Sequence, residues 1–267
     1  MIFHSSFEYG YLLLPVVGFV IGLLGSVLGG GGGFFFIPVL TVLFGVPAQV
    51  SVATSLAASL PICIAGSYGH YRNKNVDLTM GLTFSAFGIL GAIAGAGLTS
   101  IMTTRQLKVS FGIYAILMAI YMLISRWKEK KSEINGEPLP DVKNYMRIAR
   151  GGFFGFTSGI ITGTFGTSGT APVQAAMFAM RMPFKIVLGT SLIVSTVNNF
   201  SALGGHFLLG KIDLTLVYFL TSGAIIGALV GPWLLAGIKI GRAEGPLRFW
   251  YAVGMILFGL LMIVTGE

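Results

Sequence analysis

The 267-residue chain has little charge: Asp, Glu, Lys and Arg make up only 10% of it, while hydrophobic residues make up 54%. Soluble domains carry about 25% charged residues, so a soluble globular fold is excluded. Several apolar stretches reach or approach the roughly 20 residues that cross a bilayer, and the chain reads as an all-α polytopic integral membrane protein. Cysteine is scarcer still. The single Cys63 excludes an intrachain disulfide and any multi-cysteine metal site, and no metal or cofactor is expected. Met1–Gly10 has no Lys or Arg and no small-residue cleavage site, so the first apolar segment is expected to remain part of the fold rather than leave as a signal peptide. Nine acidic residues stand against 17 basic ones, a net charge of +8. The basic residues fall between apolar blocks, where they set orientation in the membrane. No nucleic-acid partner is expected.

Glycine is abundant, and five glycines in a row, Gly29 to Gly33, interrupt the apolar run from Tyr11 to Phe44. Five interior glycines cost a helix roughly 5 kcal/mol relative to alanine, so a continuous helix there is not expected. Broken backbone at membrane depth survives only under protein cover or beside a polar cavity. The glycine run therefore reads as the floor of a binding site.

Four apolar blocks precede a polar stretch and four follow it. They are Tyr11–Phe44, Gln49–Gly69, Leu78–Ser100 and Leu107–Ile124, then Gly151–Met180, Ile186–Gly205, Leu214–Gly237 and Leu247–Val264. Between them lies a basic stretch with Gly136, Pro138 and Pro140, a connector. The sets are copies: a shift of 136 residues aligns Thr54-Ser55-Leu56 with Thr190-Ser191-Leu192, Gly69-His70 with Gly205-His206, and Asp77-Leu78-Thr79 with Asp213-Leu214-Thr215. With a two-residue gap Pro38 meets Pro172, and the glycine run meets the Gly-rich stretch from Gly163 to Thr170. The expected organisation is a first transmembrane repeat over 1–125, a connector over 126–150 and a second repeat over 151–267. Paired interrupted segments in matching positions mark a transporter's binding site.

Orientation follows from the positions of Lys and Arg. If each first block crosses once, the split between the two sides is 10 against 7. If each first block is a hairpin returning to its own side, the split becomes 14 against 3, with Arg105, Lys108 and Lys211 as the exceptions. The second arrangement fits the positive-inside rule better. It makes the repeats inverted, the connector cytoplasmic and both termini extracytoplasmic.

Two hairpins entering from opposite faces bring their tips together. After each tip a short helix starts, and a helix N-terminus offers free N–H groups and a partial charge of about +0.5. Glycines let the backbone approach an anion closely. Gly30, Gly31, Gly32, Gly33 and Phe34 form the first candidate tip; Gly166, Thr167, Ser168, Gly169 and Thr170 form the second and add hydroxyls. The alternative is that the glycines serve only close packing or flexing. Thr54, Ser55, Thr190 and Ser191 are further candidate substrate ligands, or else bond back to their own helices. Asn198 lies mid-block, where an amide in lipid needs a partner. His70, His206, Asp77 and Asp213 are candidate proton-coupling groups; the plainer role for both aspartates is a helix N-cap. Gly166-Thr167-Ser168-Gly169 also matches the GxSG pattern of rhomboid-type intramembrane proteases, with His206 as a conceivable base, but the first-half copy has glycine for the serine and no HxxxN element follows.

The residues GLLGSVLGGGGGFFFIPVL followed by Thr54-Ser55-Leu56, and GIITGTFGTSGTAPV followed by Thr190-Ser191-Leu192, resemble the TauE/SafE sulfite exporter family, also called the 4-toluene sulfonate uptake permease family. The resemblance covers nearly the whole chain. It implies a plasma-membrane transporter of small anions such as sulfite, sulfoacetate or sulfonates, rather than an enzyme. The first break is pure glycine, which points to one-sided hydroxyl recognition. The expectation is a secondary transporter working by alternating access, one repeat rocking against the other, with a proton or ion as coupling partner. An anion channel of the same architecture and an intramembrane serine protease are the alternatives.

Overall fold

Glycine and proline decide where the helices of this chain stop. The structure, a computed structural model, describes residues 2–27, 30–134, 144–180, 182–209, 212–237 and 240–266. Gly29, the connector residues Gly136, Pro138 and Pro140, and Lys211 lie outside the described residues. In the first half a 3-10 turn, Tyr9–Leu13, leads into α1 (Leu14–Val27). After the glycines comes α2 (Gly33–Pro38), which passes at Pro38 into a π-helical turn, Val39–Leu43. Three long helices follow: α3 (Ala48–Arg72), α4 (Leu78–Ile101) and α5 (Thr104–Ile134). The second half repeats the series as α6 (Asn144–Phe165), a short α7 (Thr170–Ala179), α8 (Phe184–Leu209), α9 (Leu214–Gly237) and α10 (Ile240–Val264). Two short strands, β1 (Ile2–Phe3) and β2 (Ile212–Asp213), pair in parallel. Helix α5 runs on to Ile134 and α6 starts at Asn144, so both ends of the connector are helical. Lys, Glu and Arg are poor membrane residues but good helix formers.

Among the described residues six helical stretches are long and apolar enough to cross a membrane, and Gly33–Leu43 and Phe249–Val264 are shorter apolar ones. The exterior is apolar, with Leu82, Ile101, Phe153, Phe200 and Leu229 all largely exposed, whereas Thr54, Ser55, Thr190, Ser191, Asn198 and Asn199 are fully buried. That inside-out distribution suits a bilayer, where backbone and side-chain polar groups must be satisfied internally.

Small residues set the pairing of helices. A Cβ on Gly18 or Gly22 of α1 would strike the Leu220 or Ala224 carbonyl of α9, and a Cβ on Gly223 or Gly227 would strike the carbonyls of Pro15 or Phe19. The residue numbers rise together, so α1 and α9 run parallel. Helices α4 and α6 repeat this: Gly91 lies against Phe156, Gly95 against Ile160, Gly155 against Phe84 and Gly159 against Gly88. Backbones touch along both seams because small residues alone permit it. Each seam joins a helix of one half to a helix of the other. The halves are therefore interleaved.

The other pairs fix the remaining directions. Asn199 Nδ2 donates to Ser59 Oγ at 3.0 Å and Thr196 hydrogen-bonds Ser67 at 3.1 Å, so α3 and α8 cross antiparallel. Gly112 lies against Gly259, and Lys108 Nζ donates to the Thr265 carbonyl at 3.3 Å, so α5 and α10 are also antiparallel. Asn198 Nδ2 donates to Ser158 Oγ at 3.1 Å, and His206 Nε2 meets the Gly163 carbonyl at 2.7 Å. These place α6 parallel to α8, which requires the second break and α7 to carry the chain back between them.

Candidate functional site

The two glycine breaks meet. A Cβ placed on Gly33 would come within 2.9 Å of the Gly166 carbonyl and 3.4 Å of the Ser168 nitrogen, and Gly31 packs against Ser168 and the Cys63 thiol. Both short helices start from a glycine in the left-handed region, Gly32 at φ 76° and Gly169 at φ 54°, and neither has a side-chain cap. Only glycine adopts that conformation without strain. The two tips differ in what remains to bind. In the first, the Gly30 and Gly31 N–H groups both donate to the Gly25 carbonyl, at 2.9 and 3.2 Å.

In the second tip the carbonyls are tied to hydroxyls. Ser158 Oγ donates to the Gly169 carbonyl at 2.6 Å, Ser195 Oγ to Ser168 at 3.0 Å, and Ser55 Oγ of α3 to Gly166 at 2.7 Å. These bonds hold the break in one shape and occupy its acceptors. The start of α7, with its uncapped N–H groups and positive dipole end, opens into a cavity of about 80 Å³. Thr167, Ser168, Gly169, Thr170, Ala171 and Gln174 form its polar wall, and Gly30 and Phe34 of the first tip close one side. Tyr114, Met118, Tyr121 and Met122 of α5 and Tyr251 and Met255 of α10 form the opposite wall. A Cβ on Gly30 would lie 3.4 Å from the Tyr251 hydroxyl and 3.8 Å from Thr170 Oγ1. Ser168 is 2% exposed, and its Oγ lies beside the Cys63 thiol with no partner in hydrogen-bonding geometry. Among the described residues no Lys, Arg, Asp, Glu or His lines the cavity. Its chemistry is that of hydroxyls, an amide and a helix start.

Of the residues singled out in the sequence, Gly30, Phe34, Thr167, Ser168, Gly169 and Thr170 line this cavity, while Gly31, Gly33 and Gly166 stand behind it in the tip-to-tip contact and Gly32 faces Ile21 and Ile62 instead. Thr54 and Thr190 act as straps between the halves: Thr190 Oγ1 accepts from the Asp77 N–H at 2.9 Å, and Thr54 Oγ1 from the Asp213 N–H at 3.2 Å. Ser55 tethers Gly166, and Ser191 Oγ accepts from Gln174 Nε2 at 3.1 Å. Asn198 supports Ser158 behind the break. Asp77 Oδ1 accepts from the Met80 N–H, and Asp213 Oδ1 from the N–H groups of Thr215 and Ser5, so both act as caps. His206 is held on Gly163; the His70 ring is buried beside the Ser26 backbone, with neither nitrogen in good hydrogen-bonding geometry. Tyr114, Tyr121, Gln174 and Tyr251 were missed. Tyrosine in an apolar helix reads as core or interface belt, but Gln174, a lone amide in an apolar proline-containing helix, was a usable signal.

The protease geometry is not formed, because His206 Nε2 is engaged with the Gly163 carbonyl rather than with Ser168. A nucleophile needs its base within hydrogen-bond reach.

The family model described as Sulfite exporter TauE/SafE matches residues 14–262. The chain is similar to the probable membrane transporter protein YdhB of Bacillus subtilis, 29% identical over 222 residues that cover 82% of this chain and 88% of that protein. It is also similar to the probable membrane transporter protein YunE of the same organism, 27% identical over 96% of this chain and 98% of the other. A probable membrane transporter protein of Methanocaldococcus jannaschii is 26% identical over 99% of this chain and 100% of its own length. No solved structure matches the chain significantly.

Proposed function

Because the chain belongs to the TauE/SafE sulfite exporter family of membrane transporters, we propose that it is a secondary transporter moving a small sulfur-containing anion across the plasma membrane. The anion sits at the start of α7, held by N–H groups and by the hydroxyls of Thr167, Thr170 and Tyr251. The observation that carries this reading is an uncapped helix start opening into a hydroxyl-lined cavity with no cation among its described lining residues. Dipoles and hydroxyls compensate one negative charge in a low-dielectric setting while keeping it releasable.

The repeats are inverted in this reading. The antiparallel crossings of α3 with α8 and α5 with α10 support it, as does the parallel run of α6 and α8. The connector is cytoplasmic and both termini are extracytoplasmic, on the positive-inside count. Access alternates between the two sides of the membrane. A proton or ion coupled through His70, His206, Asp77 or Asp213 would act from outside the cavity, since none of the four lines it.

The test is anion-evoked current from proteoliposomes on a supported membrane, with sulfite, sulfate, thiosulfate and a sulfonate, with and without a pH gradient. Saturable current driven uphill supports the transporter. Passive flux that only follows the anion's gradient replaces it with a channel.

A further inference from the structure

The segments that follow the two breaks occupy matching places in the two halves, yet one is bare where the other is covered. The alignment that sets Pro38 on Pro172 also sets Ile37, Leu40 and Thr41 on Ala171, Gln174 and Ala175. Residues spaced three and four apart share one helix face. On α7 that face is partly exposed and lines the cavity. On α2 and its π-helical turn, Ile37, Leu40 and Thr41 are only 1%, 0% and 4% exposed. The space on that side is filled by rings. Phe34 packs on Phe111 with centroids 5.3 Å apart, and Phe35 packs on Tyr251 at 5.1 Å and on Phe258 at 5.8 Å. Further along, Thr41 Oγ1 lies 3.1 Å from Met262 Sδ.

The two segments leave the tips for opposite sides of the membrane. Phe35 meets Tyr251 and Phe258 while Thr41 meets Met262, so α2 runs in the direction of α10. Helix α10 is antiparallel to α5, and α5 ends at the connector. Helix α2 therefore runs away from the connector. Helices α5 and α7 each reverse one member of the parallel pair α4 and α6, so α7 runs with α5, toward the connector. The cavity follows α7 from Thr170 to Phe178 and reaches Phe184 at the start of α8, while along α5 it extends from Tyr114 to Met122. It thus leads from the tips toward the connector side. In the other direction an anion would have to cross close-packed rings, which leave no passage and are costly surroundings for a charge. Glycines bound the covering segment. Gly31 and Gly32 precede it at φ 61° and 76°, and Gly45 follows it at φ 62°, with nothing within 4 Å of a Cβ placed there. A few residues at the ends of an element suffice as hinges. We infer, taking the cavity as the anion site, that this structure is the state entered from the connector side, and that α2 with its π-helical turn is the gate that shuts the opposite side and opens by leaving the α5–α10 pair.

The test uses the full chain in proteoliposomes on a Cys63→Ala background, with Glu137→Cys marking the connector side. Ala175→Cys is labelled from each side with an impermeant anionic methanethiosulfonate. It is expected to react at least about tenfold faster from the connector side, the mark of a modest population difference between the two states. In a second variant, Thr41→Cys with Met262→Cys, dibromobimane ties α2 to α10. Flux of sulfite, sulfate, thiosulfate and methanesulfonate is expected to fall to background on linking, against the same protein before linking, while the linked protein still binds the transported anion by calorimetry. Ala175→Cys reacting equally fast from both sides, or faster from the side opposite the connector, overturns the inference, as does flux that survives the link. Either result leaves the anion site standing. Absence of binding heat for all four anions with the untreated, folded chain overturns the anion site instead, and sided labelling of Ala175→Cys then still supports the gate.

Discussion

Replacing Thr170 by valine separates the proposed anion site from the scaffold around it. Thr170 is the first residue of α7, it is partly buried, and it lines the cavity. Valine keeps the branched shape at the helix start and removes only the hydroxyl. A hydrogen bond to a charged group is worth about 1.5–3 kcal/mol, so anion affinity is expected to fall about tenfold to a hundredfold. Stability should move by no more than about 0.5 kcal/mol, the usual range away from a buried feature. The contrast is Thr190→Val. Thr190 is fully buried and its Oγ1 accepts from the Asp77 N–H at 2.9 Å. Valine there strands a donor, at a cost of about 1–3 kcal/mol, and lowers the melting temperature by about 2–4 °C per kcal/mol for a chain of this size. Affinity per folded molecule should hold. Calorimetric titration and thermal melts of both variants give the four numbers. An unchanged affinity in folded Thr170→Val, or a loss in Thr190→Val without one in Thr170→Val, refutes the reasoning.

Other perturbations address the remaining parts. Asp77→Ala and Asp213→Ala each remove a cap and should cost about 0.5–2 kcal/mol, read from thermal melts, while the pH profile of transport keeps its shape; a flattened profile would assign the carboxylate a proton-carrying role. Gly159→Leu would drive a side chain into the Gly88 backbone of α4, and overpacking of about 1–3 kcal/mol or more should lower the yield of folded protein, whereas Gly97→Leu meets open space and should not. A cysteine at Glu137, introduced on a Cys63→Ala background, should react with an impermeant maleimide only in inside-out vesicles if the connector is cytoplasmic.

The breaks were legible in the sequence because consecutive glycines are costly in any helix, and because the second half repeats the pattern with Pro172 where the first has Pro38. The list of ligands was less legible. The first tip has more glycine, yet the Gly30 and Gly31 N–H groups are taken by the Gly25 carbonyl. The second tip, with fewer glycines, lines most of the polar wall. The repeated Thr-Ser pairs looked like ligands because they recur. They recur because each threonine straps the Asp that opens the third apolar block of the opposite half, a contact between residues more than 100 positions apart that local pattern cannot reveal. The α5–α10 wall was hidden for a similar reason. Tyr114 and Tyr251 sit in ordinary apolar helices, and only the antiparallel pairing of those helices brings the tyrosines to the same cavity.

The interleaving also bears on how the transporter could move. One repeat rocking against the other would have to part α1 from α9 and α4 from α6, along seams where backbone meets backbone. Packing that close tolerates little sliding. Units that mix the halves avoid this: α1, α3 and α9 on one side, α4, α6 and α8 on the other, with the α5–α10 pair forming the far wall of the cavity. The two schemes differ in one observable. A flexible thiol cross-linker between Val20→Cys and Ile226→Cys, both on the exposed faces of α1 and α9, joins opposite repeats within one mixed unit. Repeat rocking predicts that the cross-link stops transport. Movement of mixed units predicts that transport continues at close to its original rate, while a cross-link between Met118→Cys and Gln174→Cys, across the cavity, arrests it. Arrest by the first cross-link, in protein that still binds its anion, would return the motion to the repeats.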